Sequence, residues 1–138
     1  MTKSKFRLLV VFSMLFSILG GVFDVLFPGF IEEELLSCQE EIEEEIFDSA
    51  VMLIVVGLFS VVGVAMAIIS FFGLLKFWGP ARHIYLAGFL IFIPIIPALG
   101  ITITSGVAQI LYDVGSLTSG MILALIYFSP VKELFKPD

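Results

Sequence analysis

Charge is scarce in this chain, and so are the residue types that build metal or redox centres. The 138 residues include seven Lys and Arg, one His and one Cys. A single cysteine, Cys38, excludes an internal disulfide framework, although it leaves a crosslink between two copies open. The lone His83 makes no metal set, and the sequence holds no HExxH, P-loop or dinucleotide fingerprint, so no metal and no cofactor is implied. Only 14% of the residues are charged, against about 25% in a soluble domain. That leaves too little polar surface to clothe a water-soluble fold of this size. The formal net charge of −6 is the wrong sign for nucleic-acid phosphates, which require a basic face.

Hydrocarbon takes the place of charge. Hydrophobic residues make up 59% of the chain, and four long apolar runs span about 6–27, 50–75, 84–101 and 109–128. A bilayer core needs about 20 residues in a helix, and backbone groups in lipid must be satisfied internally, so each run reads as a transmembrane helix. None alternates with period two, which excludes a barrel wall. The expected fold is all-α: one polytopic membrane domain over 1–138, a four-helix bundle with the lipid bilayer as its solvent.

Orientation follows from the basic residues. Lys3, Lys5 and Arg7 precede the first run, Lys76 and Arg82 lie between the second and third, and Lys132 and Lys136 follow the fourth. The connections 28–49 and 102–108 contain none. The positive-inside rule then predicts both termini in the cytoplasm. The first run also has the basic start of a signal peptide, but it continues to Phe27 without a small-x-small cleavage site, and a retained span is the simpler reading. Leu35-Leu36-Ser37-Cys38 has the look of a lipobox but follows Glu32-Glu33-Glu34, not an apolar segment.

The external loop 28–49 is the most unusual segment. Residues 32–48 hold nine carboxylates and no cation. Ile31, Leu35, Cys38, Ile42 and Ile46 recur at helical spacing after the Pro28-Gly29 break, which predicts a short amphipathic acidic helix on the outer face. Calcium would suit such oxygens, but no ligand loop is present and a solvated face is the default.

Small residues at four-residue spacing let helix backbones approach where lipid removes the hydrophobic drive. Ser13, Ser17 and Gly21 form such a stripe on the first run, Gly63 and Ala67 on the second, and Ser116, Gly120 and Ala124 on the fourth. Intramolecular packing is the plain reading and a homo-oligomer the alternative. Pro94 and Pro97, followed by Gly100, interrupt the third run; a simple bend is favoured over a substrate-lining break.

Two carboxylates, Asp24 and Asp113, sit within apolar runs at similar expected depth. Facing each other they would share a proton or hold a cation; otherwise each reaches the headgroup region. Lys76, Trp78, Arg82 and Tyr85 read as interfacial anchors, with specific lipid binding as the less general alternative. Ser105 and Ser119 occur in Thr-Ser-Gly triplets, neither of them a GxSxG elbow, and membrane serines usually bond to backbone. Catalysis therefore has no motif behind it.

The tail Tyr127-Phe128-Ser129-Pro130-Val131-Lys132-Glu133-Leu134-Phe135 resembles the exit of the last helix in small, mostly uncharacterised four-span bacterial inner-membrane proteins. That resemblance covers nine residues and implies a bacterial inner membrane without implying an activity. The paired external cysteines of claudin-type proteins, the cysteine set of tetraspanins, and the intramembrane Arg and Glu of the eicosanoid and glutathione family are missing. The expected function is a non-enzymatic accessory or assembly component with a membrane-protein partner; the alternative is an oligomeric cation channel or transporter using Asp24 and Asp113.

Overall fold

The computed structural model describes residues 2–47, 50–95 and 103–135. Five helices account for most of them: α1 (Lys3–Leu26), α2 (Glu33–Phe47), α3 (Ala50–Leu75), α4 (Ala81–Ile95) and α5 (Gly106–Phe128). Two 3₁₀ segments, Pro28–Phe30 and Pro130–Phe135, follow α1 and α5. Among the described residues there is no strand.

Three stretches, Lys3–Leu26, Leu53–Leu75 and Gly106–Phe128, are long and apolar enough to cross a membrane. The third apolar run begins as α4, in which Pro94 lies; Pro97 and Gly100 fall outside the described residues. The acidic segment is helical as expected, in α2. Of its expected stripe, Leu35 and Cys38 are exposed and Ile31 is half-buried, while over residues 33–41 of α2 the half-buried positions are Leu36 and Gln39. Ile42 and Ile46 have no described side chains.

The order of contacts shows how α1 and α5 pack. Ser13 meets Gly115 and Ser119, Gly20 lies under Tyr112, and Asp24 meets Ser105. Positions rise along α1 as they fall along α5, so the two helices are antiparallel. α3 and α4 form a second antiparallel pair around the 76–80 turn. A Cβ on Gly73 would collide with that of Ala81, so glycine permits this close approach.

The turn itself closes α3. The Trp78 amide donates to the Gly73 carbonyl at 2.8 Å and the Phe77 amide to that of Leu74 at 3.2 Å. This is a Schellman motif, which wants a left-handed residue at its penultimate position, usually Gly. Phe77 fills it with φ of 57°. Left-handed backbone costs about 1–2 kcal/mol for an ordinary residue, and ring packing offsets that cost. Phe77 stands 5.6 Å from Phe6 and 5.4 Å from Phe135, centroid to centroid, and Phe6 and Phe135 are themselves 5.8 Å apart.

Phe6 and Phe135 sit in the buried core with Val10, Leu74, Ala81, Ile122, Ile126 and Val131, and half-buried Phe77 packs against it. The core gathers where the start of α1, the 76–80 turn and the end of α5 meet. Elsewhere the apolar surface is bare: Val51, Ile54 and Val61 of α3 are each more than 65% exposed. α3 is apolar around its circumference, the pattern of a helix that is not meant to face water.

Gly73→Leu should force the α3–α4 pair apart, an overpacking change of about 1–3 kcal/mol. Thermal unfolding of detergent-solubilised protein, followed by circular dichroism, should show an earlier transition, whereas Gly57→Leu, at a position with open space, should leave it within error.

Candidate functional site

Hydroxyl groups line the seam between α1 and α5. Ser13 is buried; its Oγ lies 2.7 Å from Ser119 Oγ and donates to the Gly115 carbonyl at 3.3 Å. With one proton to give, Ser13 donates to Gly115 while Ser119 donates to Ser13. Ser17 Oγ donates to the Ser13 carbonyl at 3.0 Å. Thr118 Oγ1 donates back to Val114 and Gly115 at 2.8 and 2.9 Å. A Cβ on Gly115 would come within 2.8 Å of Ser17 Oγ, so the absent side chain sets the helix spacing.

Tyr85 of α4 joins the serines. Its side chain is turned to Ser119 and Ser13 and interacts with both. Together they form part of the wall of a cavity of about 180 Å³ between the two helix pairs, whose apolar wall includes Phe71 and Ile122.

At the opposite end of the seam the carboxylate of Asp24 closes onto Ser105. The Ser105 hydroxyl donates to Asp24 Oδ1, and its amide donates to Oδ2 at 3.2 Å. Ser105 is also the N-cap of α5, accepting from the Ala108 amide at 3.2 Å. Asp24 therefore lies at the positive end of the α5 dipole, where an anion is stabilised. Nearby, Gln39 of α2 accepts from the Ile103 amide at 3.2 Å, tying the acidic helix to the segment that enters α5.

Asp113 has a different setting. It accepts from Gln109 Nε2, one turn back on the same helix, at 2.9 Å. It is exposed, on a shallow groove with Ser116, Leu117 and Gly120. Asp24 and Asp113 thus have separate partners, and no hydrogen bond joins them among the described residues.

The other residues singled out from sequence fall as follows. Ser13 and Ser17 face α5. Gly21 is at the edge of that contact, where a Cβ would lie 3.3 Å from the Tyr112 hydroxyl, while Gly20 lies beneath the Tyr112 ring. Gly63 is buried and Ala67 borders the cavity. Ser116, Gly120 and Ala124 are exposed, and a Cβ on Gly120 meets nothing. Lys76 and Trp78 are exposed at the core end, Arg82 is half-buried, and Tyr85 lines the cavity. Tyr127 donates its hydroxyl to the Arg82 carbonyl at 3.2 Å.

Sequence reasoning did not single out Gly115, Ser105 as a cap, or the inward role of Tyr85. A signal existed for the first: Gly115 and Ser119 are themselves four residues apart, one position out of step with Ser116 and Gly120. No family model, curated protein or solved structure matches the chain.

Ser105→Ala removes both the cap and a charge-assisted bond, and should cost about 1–3 kcal/mol. Asp24→Ala should cost a similar amount, and the double variant less than the sum by at least about 0.5 kcal/mol, since the two residues act on each other. Denaturation of the micelle-bound protein by sodium dodecyl sulfate measures the cycle; strict additivity would show that the contact contributes nothing.

Proposed function

We propose that this chain is a non-enzymatic multi-pass membrane protein, an accessory or assembly component that binds another transmembrane protein through the exposed face of α5. The observation that carries this reading is the groove at Asp113, Ser116, Leu117 and Gly120. Asp113 lies seven residues after Gly106, about 10 Å along the helix. Ionisable side chains at membrane depth almost always face protein or water. Here the carboxylate faces outward, beside small residues that would admit a second backbone closely. A partner helix with a donor or cation at matching depth completes the site. A second copy of this chain would bring two carboxylates together and require a shared proton.

Three long apolar helices and the bare surface of α3 support a membrane setting. The resemblance of the tail adds a bacterial inner membrane. The gathering of Lys3, Arg7 and Lys76 at one end of the helices, with acidic α2 tied by Gln39 to the entry of α5, supports cytoplasmic termini and an external α2. Cation transport through Asp24 and Asp113 draws less support, because both oxygens of Asp24 are already bonded to Ser105, the N-cap of α5.

Topology is testable through the lone thiol. In intact cells a membrane-impermeant maleimide should label Cys38, which is exposed; in a Cys38→Ser, Gly79→Cys chain it should label only after permeabilisation. The reverse pattern would invert the orientation.

The partner face is tested by placing a photo-crosslinking residue at Leu117 on α5 or at Leu58 on α3, both well exposed. An adduct of defined mass is expected at Leu117 alone and should be lost on adding Gly120→Ile. Equal capture at both positions, or capture indifferent to Gly120→Ile, would overturn the assignment.

A further inference from the structure

Three cations converge at the core end of the molecule, and among the described residues none of them is ion-paired. Lys3 and Arg7, one turn apart at the start of α1, both lie over the Phe77 ring, with Lys3 Nζ 5.7 Å and Arg7 Cζ 5.3 Å from its centroid. Arg7 Nε donates to the Leu75 carbonyl at 2.9 Å, which fixes the guanidinium at the end of α3 and leaves its terminal nitrogens free to donate. Lys76 follows at the turn. These side chains, with Trp78 and Glu133, line a groove of about 830 Å³. Among the described residues, no carboxylate comes within ion-pair distance of any of the three cations.

Two of the cations are held in place before any ligand arrives, by cation–π contact and, for Arg7, by a backbone bond. That preorganisation lowers the entropic cost of binding. The charge calls for an anion, and guanidinium with ammonium is the donor set that phosphate oxygens accept. The surroundings call for an anion with hydrocarbon attached. Trp78 is half exposed at the groove and Phe72 on α3 is 57% exposed, so apolar surface leads away from the charged pocket.

We propose that this groove binds the headgroup of an anionic glycerophospholipid. Arg7, Lys3 and Lys76 take the phosphate, and Glu133 accepts from the hydroxyls of the head. Basic pockets at the cytoplasmic ends of membrane helices suit such headgroups. Glu133 disfavours a second phosphate and favours a hydroxylated head such as glycerol. This assignment rests on the membrane reading above. Binding is tested in micelles, where a wrong orientation leaves the titration unaffected, and Cys38 labelling tests orientation separately.

Trp78 is the one tryptophan of the chain and lines the groove, so its fluorescence reports occupancy. The full-length protein in neutral detergent is titrated with phosphatidylglycerol, with phosphatidylcholine, or with inorganic phosphate. A saturable change is expected with phosphatidylglycerol, at a midpoint at least tenfold below that for phosphatidylcholine, and none with inorganic phosphate. Raising salt should move the midpoint upward. Lys3→Gln with Lys76→Gln should raise it at least tenfold, whereas Lys5→Gln with Lys132→Gln, an equal change of charge at the same end, should leave it within twofold. All four lysines are exposed, and circular dichroism checks that the helices are retained. Equal effects of the two double variants, equal midpoints for the two lipids, or a matching response to inorganic phosphate would overturn the proposal.

Discussion

The close approach of α1 and α5 is the constraint on which the rest depends. Gly115 admits Ser17, Ser13 reaches the Gly115 carbonyl and Ser119, and Asp24 closes onto Ser105. Contacts at the middle and the far end of one seam fix the antiparallel register of the first and last helices. Only in that register does the end of α5 bring Phe135 against Phe6 and Phe77. The α3–α4 pair then docks on the assembled end through Leu74, Ala81 and the bond from Arg7 to Leu75. A wider seam would remove the hydroxyl contacts and separate the aromatic cluster together.

Phe77 couples backbone geometry to charge. Its left-handed conformation closes the Schellman turn, and the same conformation presents its ring to Phe6 and Phe135 and to the cations of Lys3 and Arg7. Glycine would satisfy the turn with less strain but would lack the ring that positions the two cations. The residue is therefore better explained by the basic groove than by the turn alone. The two ends of the molecule differ in chemistry: cations over aromatic rings at one, and a carboxylate on a helix N-terminus at the other.

Polar groups within the apolar helices divide by the direction they face. Ser13, Ser119 and Asp24 spend their hydrogen-bonding capacity inside the chain, joining helices. Asp113 and Gln109 bond to each other along one exposed face, where Ser116 is exposed and a Cβ on Gly120 would meet nothing among the described residues. The proposed partner face follows from that difference in direction. Neither residue type nor spacing distinguishes it from the inward face.

Helical content, the presence of three helices long and apolar enough to cross a membrane and the clustering of cations at three places in the chain were determined by the sequence alone. Run length and local charge are properties of single segments, which is why they are legible without a partner. α5 carries two small-residue stripes one position apart, Gly115 with Ser119 and Ser116 with Gly120, and tertiary structure decided that the first packs inward. Periodicity marks the faces of a helix, but where the helix surface and its surroundings are equally apolar it cannot say which face is covered. The closing of Asp24 onto the α5 cap Ser105, the turning of Tyr85 toward the serines, and the convergence of Lys3, Arg7 and Lys76 on one groove were likewise decided only by packing. Each joins residues more than thirty positions apart, and a contact of that kind exists only once the chain has folded.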